Sequence, residues 1–117
     1  MREGAARALV VVGALALCAM VKFIQHGNTA TFTNETDVPL TVEVRVSDDS
    51  DAWTLQLDPG ESSTIRFLPR SGEAGLEIEV VGRYRIPSFG YYSGSRMLTR
   101  CDEIRLGETT LDSKHCR

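Results

Sequence analysis

The feature that most constrains the fold is a two-residue alternation that begins soon after residue 28. Within residues 38–46, the apolar side chains of Leu40, Val42 and Val44 occupy alternate positions, and polar residues lie between them. Period-two alternation rich in β-branched residues is typical of a strand with one buried face. A helix would require apolar residues three and four positions apart, so this region is predicted to form β structure.

The same alternation recurs in short segments that are separated by turn signals. The strongest is Asp58-Pro59-Gly60, because proline fixes φ and glycine accepts a positive φ. Strands at a spacing of roughly 8 to 12 residues are typical of an antiparallel sandwich. We predict an all-β fold, a small antiparallel immunoglobulin-like sandwich of six or seven strands over residues 29–117, preceded by one N-terminal apolar helix. The predicted strands include residues 29–34, 38–46, 53–57, 63–68, 76–84 and 96–106.

Residues 1–24 hold the only long apolar run of the chain. Two arginines precede an uncharged stretch, and a single lysine follows it near the end of the run. Arginines before such a run predict that the start stays in the cytoplasm and that the rest is exported. Residues 8–24 are predicted to form an uncleaved membrane anchor and residues 25–28 a short linker. A cleaved secretory signal is the alternative for residues 1–24.

Cys18 lies inside this run and raises the question of lipid attachment. Bacterial lipoprotein processing favours a small residue before the modified cysteine, whereas Leu17 precedes Cys18. Lipidation of Cys18 is therefore kept only as an unfavoured alternative. The predicted location is the bacterial inner membrane, with the C-terminal domain in the periplasm or outside the cell. A secreted protein and a lipoprotein are the alternatives.

Export bears directly on the two remaining cysteines, Cys101 and Cys116. Disulfides persist in oxidising compartments, and closing a loop of about 15 residues stabilises a fold by roughly 3 kcal/mol in the chain-entropy model. A domain of about 90 residues has a modest core and would gain from such a link. We predict a Cys101–Cys116 disulfide, in preference to two free thiols or half of a metal site.

The charge of the predicted exported part excludes one class of partner. From residue 25 onward there are ten Lys and Arg against fifteen Asp and Glu, a net charge of −5. Nucleic-acid affinity rests on neutralising phosphates with basic side chains. Nucleic acid is therefore not expected as a partner.

The sequence offers no convincing catalytic or metal-binding constellation. His26 lies beside the predicted anchor and His115 in the C-terminal tail, where neither is well placed as a general base. The acidic stretch at residues 47–51 lacks the spacing of a calcium loop and is interpreted as a turn. We therefore predict no enzyme, no cofactor and no metal. Asn34-Glu35-Thr36 fits the N-glycosylation pattern, which would matter only in a eukaryotic secretory pathway.

The best candidate for binding is the stretch at residues 83–96, which mixes aromatic and arginine side chains. Tyr and Arg are enriched at binding hot spots, and an aromatic platform could also stack against a sugar. Alternatively, these aromatic side chains fill one end of the core. The predicted binding residues are Arg83, Tyr84, Arg85, Phe89, Tyr91, Tyr92 and Arg96.

Together these features predict a membrane-tethered extracytoplasmic β-sandwich that acts as a protein-binding or accessory module. Its expected contacts are the membrane, through residues 8–24, and another protein or a glycan. One alternative is a secreted or lipid-anchored periplasmic inhibitor or immunity-type protein that blocks a partner enzyme. The second alternative is a small hydrolase or metal-binding protein.

Overall fold

The computed structural model describes residues 27–116, which form eight β-strands and no helix. Two four-stranded sheets result, in the orders β4-β1-β7-β8 and β3-β2-β5-β6. The predicted all-β class is confirmed, and the described residues hold one strand more than the upper end of the predicted number. The strands are β1 (Asn28–Asn34), β2 (Leu40–Val46), β3 (Ala52–Leu57), β4 (Ser62–Phe67), β5 (Glu73–Val80), β6 (Tyr84–Ser93), β7 (Cys101–Leu106) and β8 (Leu111–His115).

The predicted anchor at residues 8–24, with Cys18 inside it, lies outside the described residues. Within residues 27–116, no helix is long and apolar enough to cross a membrane. The predicted linker ended at Asn28, but Asn28 is already the first residue of β1. The β domain therefore begins one residue earlier than its predicted boundary.

The inner faces of the two sheets share one hydrophobic core, an arrangement compatible with a β-sandwich. In β2, the four apolar residues of the alternation are buried, as predicted. Phe67 from the first sheet packs edge-on against Tyr92 from the second, with ring centroids 4.8 Å apart. Each fully buried apolar side chain of this size contributes about 1.5–3 kcal/mol, so the shared core is the main force that holds the sheets together.

One strand pairing corrects the prediction of a purely antiparallel fold. β1 runs parallel to β7, with Thr29 opposite Cys101 and Asn34 opposite Leu106. A parallel pair cannot be closed by a tight hairpin and needs a long connection, which here includes the whole of the second sheet. The first sheet is therefore mixed, and β1 lies in its interior between β4 and β7.

The C-terminal strands depart from their predicted bounds for local reasons. β5 ends at Val80 because the next three residues form a turn, in which Gly82 has a φ of 77° and the Arg83 N–H donates to the Val80 carbonyl at 2.9 Å. β7 begins at Cys101 rather than at residue 96, because residues 94–100 form a loop. The C-terminal tail, for which no strand is predicted, forms β8, which pairs antiparallel with β7.

Asn34 ends β1 as a buried polar residue. Its Nδ2 donates to the carbonyl oxygens of Val38 at 2.8 Å and Leu57 at 2.9 Å. Its Oδ1 accepts hydrogen bonds from the backbone N–H and the hydroxyl of Thr36. Because the amide is buried and fully used inside the fold, Asn34 does not present a glycosylation acceptor in the folded domain.

The predicted cysteine pair is present in the structure. Cys101, at the start of β7, and Cys116, just after β8, are at disulfide distance, with Cα atoms 5.2 Å apart. The Cys116 N–H also donates to the Cys101 carbonyl at 3.0 Å. The covalent link and the hydrogen bond together fasten the end of the short edge strand β8 to β7.

Candidate functional site

Strand β6 carries most of the predicted binding residues, and it is an irregular edge strand. β6 has ten residues whereas its partner β5 has eight, and the register of the β5–β6 pair shifts twice. Such bulges insert unpaired residues and redirect the side chains that follow. Gly90 sits in this region with a φ of 70°, and a Cβ added there would lie 2.7 Å from Cε2 of Tyr92. Glycine is therefore required where the Tyr92 ring crosses beneath the strand.

The structure does not bring the seven predicted binding residues onto one surface. Tyr92 is fully buried, and Tyr84 and Phe89 are half-buried and packed against the core. These aromatic side chains thus pack against the core along the whole of β6, from Tyr84 at its start to Tyr92 near its end, and not at one end of the core. Four predicted residues are exposed, namely Arg83, Arg85, Tyr91 and Arg96.

Hydrogen bonds from its hydroxyl hold the half-buried Tyr84 side chain in place. The hydroxyl lies 3.0 Å from the carbonyl oxygen of Gly107 and 3.1 Å from that of Thr110, both in the turn between β7 and β8. Burial raises the pKa of Tyr84, which keeps the phenol protonated as a donor. Tyr84 thus links the edge of the second sheet to a turn of the first sheet.

A buried polar cluster lies at the opposite end of β6, and we call Tyr92, Arg100, Asp102 and His115 the Asp102 cluster. The Tyr92 hydroxyl donates to Asp102 Oδ2 at 2.6 Å, and His115 Nδ1 lies 3.0 Å from Asp102 Oδ1. Arg100 Nε lies 2.7 Å from Asp102 Oδ2, and its guanidinium carbon is 5.3 Å from the Tyr92 ring centroid. Asp102 itself is only 1% exposed. The buried carboxylate of Asp102 in β7 therefore contacts side chains from β6, from β8 and from the loop before β7.

The Asp102 cluster was not predicted, although the sequence carried a signal for it. Asp102, Ile104 and Leu106 occupy alternate positions of β7, and all three are buried. A charged residue on the inward face of a strand needs partners, because an unpaired buried charge is costly. The partners could not be read from the sequence, since Tyr92 and His115 reach Asp102 only through the pairing of separate strands.

The contacts of this cluster link three strands and a loop through one carboxylate. The Asp102 carboxylate orients the imidazole of His115, whose side chain is 71% exposed. A carboxylate–imidazole pair acts in nucleophilic catalysis when a serine or cysteine lies beside the imidazole. The neighbouring Cys101 and Cys116 are bonded to each other. Among residues 27–116, no three His, Cys, Asp or Glu side chains are grouped so that they could hold a metal ion.

Burial and the hydrogen bond to Asp102 both raise the pKa of Tyr92, which leads to a pH-dependence prediction. Above about pH 10, the usual pKa of tyrosine, the unfolded chain releases the Tyr92 proton while the folded chain retains it. The free energy of unfolding must therefore fall as the pH rises. We expect Tyr92→Phe to make this fall shallower between about pH 9 and 11, as measured by urea unfolding at each pH. The half-buried Tyr84→Phe is the matched comparison and should flatten the profile less; equal slopes in all three proteins would contradict the assignment.

A second candidate site is a concavity on the outer face of the β3-β2-β5-β6 sheet. Its volume is about 510 Å³, and we call it the outer-face concavity. The polar and charged residues that line it include Glu43, Arg45, Thr54, Glu77, Glu79 and Arg85. Of the predicted binding residues, Arg85 alone lines it, so the structure surrounds that arginine with residues from three other strands.

The charges of the outer-face concavity form two rows across the strands. In one row Arg45 donates from Nε to Glu77 Oε2 at 2.8 Å, and this bond with the charge of Glu77 raises the pKa of Arg45. In the other row Glu43 lies opposite Glu79, which lies opposite Arg85. Like charges placed directly opposite one another are unfavourable in a sheet. The second row therefore holds two carboxylates and one guanidinium, an excess of one negative charge.

The chain matches no family model, no curated protein and no solved structure. Function must therefore be inferred from the geometry of the described residues. Two surfaces stand out there: the outer-face concavity, and the end of the sandwich at which β1 begins. Of the exposed members of the predicted set, Arg85 lines the outer-face concavity, Tyr91 and Arg96 lie near the start of β1, and Arg83 lies in the turn between β5 and β6, apart from both surfaces.

Proposed function

We propose that the chain is a membrane-tethered extracytoplasmic β-sandwich that acts as a protein-binding or accessory module. The apolar run at residues 8–24, preceded by arginines, supports the tether and the location at a bacterial inner membrane, with residues 27–116 on the periplasmic or external side. The Cys101–Cys116 pair is consistent with an oxidising compartment. A secreted or lipid-anchored inhibitor would share the binding surface and differ in how the chain is attached.

The proposed β-sandwich is immunoglobulin-like in its two-sheet architecture, but its strand order differs from that of immunoglobulin domains. Constant-type immunoglobulin domains place their first, second, fifth and fourth strands in one sheet and the remaining three in the other. Here the orders are β4-β1-β7-β8 and β3-β2-β5-β6. What is shared is a pair of sheets around one core with loops at both ends, a scaffold that supports binding surfaces in many unrelated proteins.

The observation that carries the proposal is the outer-face concavity with its unbalanced acidic pair. Glu43 and Glu79 lie directly opposite each other on exposed or half-exposed positions of neighbouring strands. A lysine or arginine side chain of a partner protein, placed between them, would remove their mutual repulsion and gain two charge-assisted hydrogen bonds. Arg85, at the rim, would pair with an acidic side chain of the same partner. The proposed partner therefore presents neighbouring basic and acidic residues.

The experiment is affinity capture with the full chain, carrying a C-terminal tag, from detergent-solubilised membranes. We expect Arg85→Ala to lower partner recovery about fivefold, which corresponds to roughly 1 kcal/mol of binding free energy, with Glu79→Ala acting in the same direction. Arg66→Ala is the matched control, because Arg66 is exposed on β4 in the other sheet. Equal recovery from the Arg85 and Arg66 variants would show that the outer-face concavity is not the binding surface.

A further inference from the structure

Two neighbouring apolar side chains project into solvent from the loop between β6 and β7. Met97 is 89% exposed and Leu98 is 69% exposed. The loop is not loosely formed, because Ser95 accepts hydrogen bonds from both residues: the Met97 N–H donates to its Oγ and the Leu98 N–H to its carbonyl, each at 3.2 Å. A turn held by these bonds displays adjacent large apolar side chains, whereas isolated ones are ordinary on a protein surface.

The loop lies at the end of the sandwich from which the N-terminal segment leaves. Asn28, fully buried at the start of β1, donates from Nδ2 to the Ser93 carbonyl at 2.8 Å and accepts at Oδ1 from the Arg100 N–H at 2.9 Å. The Thr29 N–H donates to the Arg100 carbonyl at 2.9 Å. Both ends of the loop are therefore fastened to the first residues of β1.

The short distance along the chain brings this loop close to the proposed anchor. The apolar run ends at Ile24, four residues before Asn28. Four residues of fully extended chain span at most about 14 Å. An anchor at residues 8–24 therefore holds this end of the sandwich at the membrane surface, while Val38 lies in the loop between β1 and β2 at the opposite end of the sandwich.

We propose that the loop at residues 94–100 inserts Met97 and Leu98 into the interfacial region of the lipid bilayer that holds the anchor; this inference rests on the proposed membrane tether. Apolar side chains at the surface of a bilayer bury their area about 5–10 Å into the head-group boundary. Arg96 precedes the pair in the loop, and the exposed Tyr91 lies near the end of the loop, where Arg100 Nη1 donates to its carbonyl at 3.4 Å. Aromatic and arginine side chains favour the head-group level.

The charges at this end favour insertion driven by apolar area rather than by attraction to anionic lipid. The acidic turn at residues 47–51 lies at the same end, since Asp48 Oδ2 accepts a hydrogen bond from the Ser71 N–H at 3.0 Å. Its carboxylates offset Arg70 and Arg96, and Arg100 is already paired with Asp102. The lipid partner is therefore a neutral or mixed bilayer, and insertion does not require acidic head groups.

The test places a fluorescent probe at each end of the sandwich in the full chain. Trp53→Phe removes the single native tryptophan, and Leu98→Trp or Val38→Trp then introduces one probe; Val38 is 41% exposed at the end opposite the loop. Each protein is reconstituted into phosphatidylcholine vesicles with plain or brominated acyl chains, and thermal unfolding confirms that each variant is folded. We expect brominated lipid to cause a loss of fluorescence and plain lipid a blue shift for Leu98→Trp, and neither for Val38→Trp.

Three outcomes would overturn the inference, and each has a different meaning. If the Leu98→Trp chain floats with the vesicles but is not quenched, the tether stands and the loop does not insert. If it shows a blue shift without quenching, Met97 and Leu98 are covered by protein rather than lipid. If the native full chain does not float with vesicles, the tether fails, and the proposed location fails together with this inference.

Discussion

Replacing Cys101 and Cys116 together by serine should lower the free energy of unfolding by about 3 kcal/mol, the largest effect we expect from any change considered. The link closes a loop of 15 residues. In the chain-entropy model, its loss raises the conformational entropy of the unfolded chain and so lowers the free energy of that state by about 3 kcal/mol. Burial of β8 contributes little to the stability of the folded state, because four of its five residues are exposed. Without the link, β8 keeps its backbone pairing with β7, the contacts of Lys114 and His115 with β7, and the packing of Leu111 against the core.

Urea unfolding of the double variant against the native chain measures this effect, and reduction of the native chain should reproduce it. Cys18→Ser is the matched control for loss of a thiol, because it removes the one cysteine that is outside the pair. Thiol labelling of the denatured, unreduced chain should modify one cysteine and not three. An unchanged urea midpoint after reduction would show that the link does not stabilise the domain.

Asp102→Ala should lower the free energy of unfolding by about 2–3 kcal/mol. The main cost is the Tyr92 hydroxyl, which is buried and would lose its acceptor; an unsatisfied buried donor costs about 1–3 kcal/mol. Arg100 and His115 add less, because their side chains are 31% and 71% exposed and can return to water. Arg100 Nε contacts Asp102 as a charge pair without an aligned hydrogen bond among the described residues, which further limits its share.

A double-mutant cycle separates these contributions. In a Tyr92→Phe background there is no hydroxyl to leave unsatisfied, so Asp102→Ala should cost clearly less than it does in the native chain. Asp102→Asn is the conservative control, since its carbonyl oxygen still accepts from Tyr92 while the charge is gone. Strict additivity of the Tyr92 and Asp102 substitutions would refute the view that the hydroxyl dominates.

The first four strands could be predicted closely because each has one buried face and an unbroken alternation. β2 is the clearest case, since the same four alternate positions are buried in the sequence pattern and in the structure. β6 could not be predicted in this way, because two bulges interrupt its period and space the inward-facing Ile86, Phe89 and Tyr92 three residues apart instead of two. β8 was missed because an edge strand with almost no buried residues carries no alternation at all.

The candidate sites were only partly visible in the sequence for a related reason. Arg85 and Tyr91 were identified as surface residues of a binding stretch, and both are exposed. Their spatial neighbours lie on distant segments of the chain. Glu43 lies in the same cross-strand row as Arg85 because both are opposite a residue of β5. Asn28 forms hydrogen bonds at both ends of the loop that carries Met97. Contacts of this kind depend on sheet register between distant segments, which local periodicity does not encode.

The parallel pairing of β1 with β7 also dictates the order in which the domain can be completed. β1 is the first strand made, yet one of its two neighbours begins only at Cys101, and contacts between residues so far apart in the chain slow folding, since the intervening loop must close before they form. Until β7 arrives, one edge of β1 stays unpaired and open to wrong partners. The strand nearest the proposed anchor therefore waits for Cys101–Leu106, and in the proposed export the first sheet closes only after β7 has crossed the membrane.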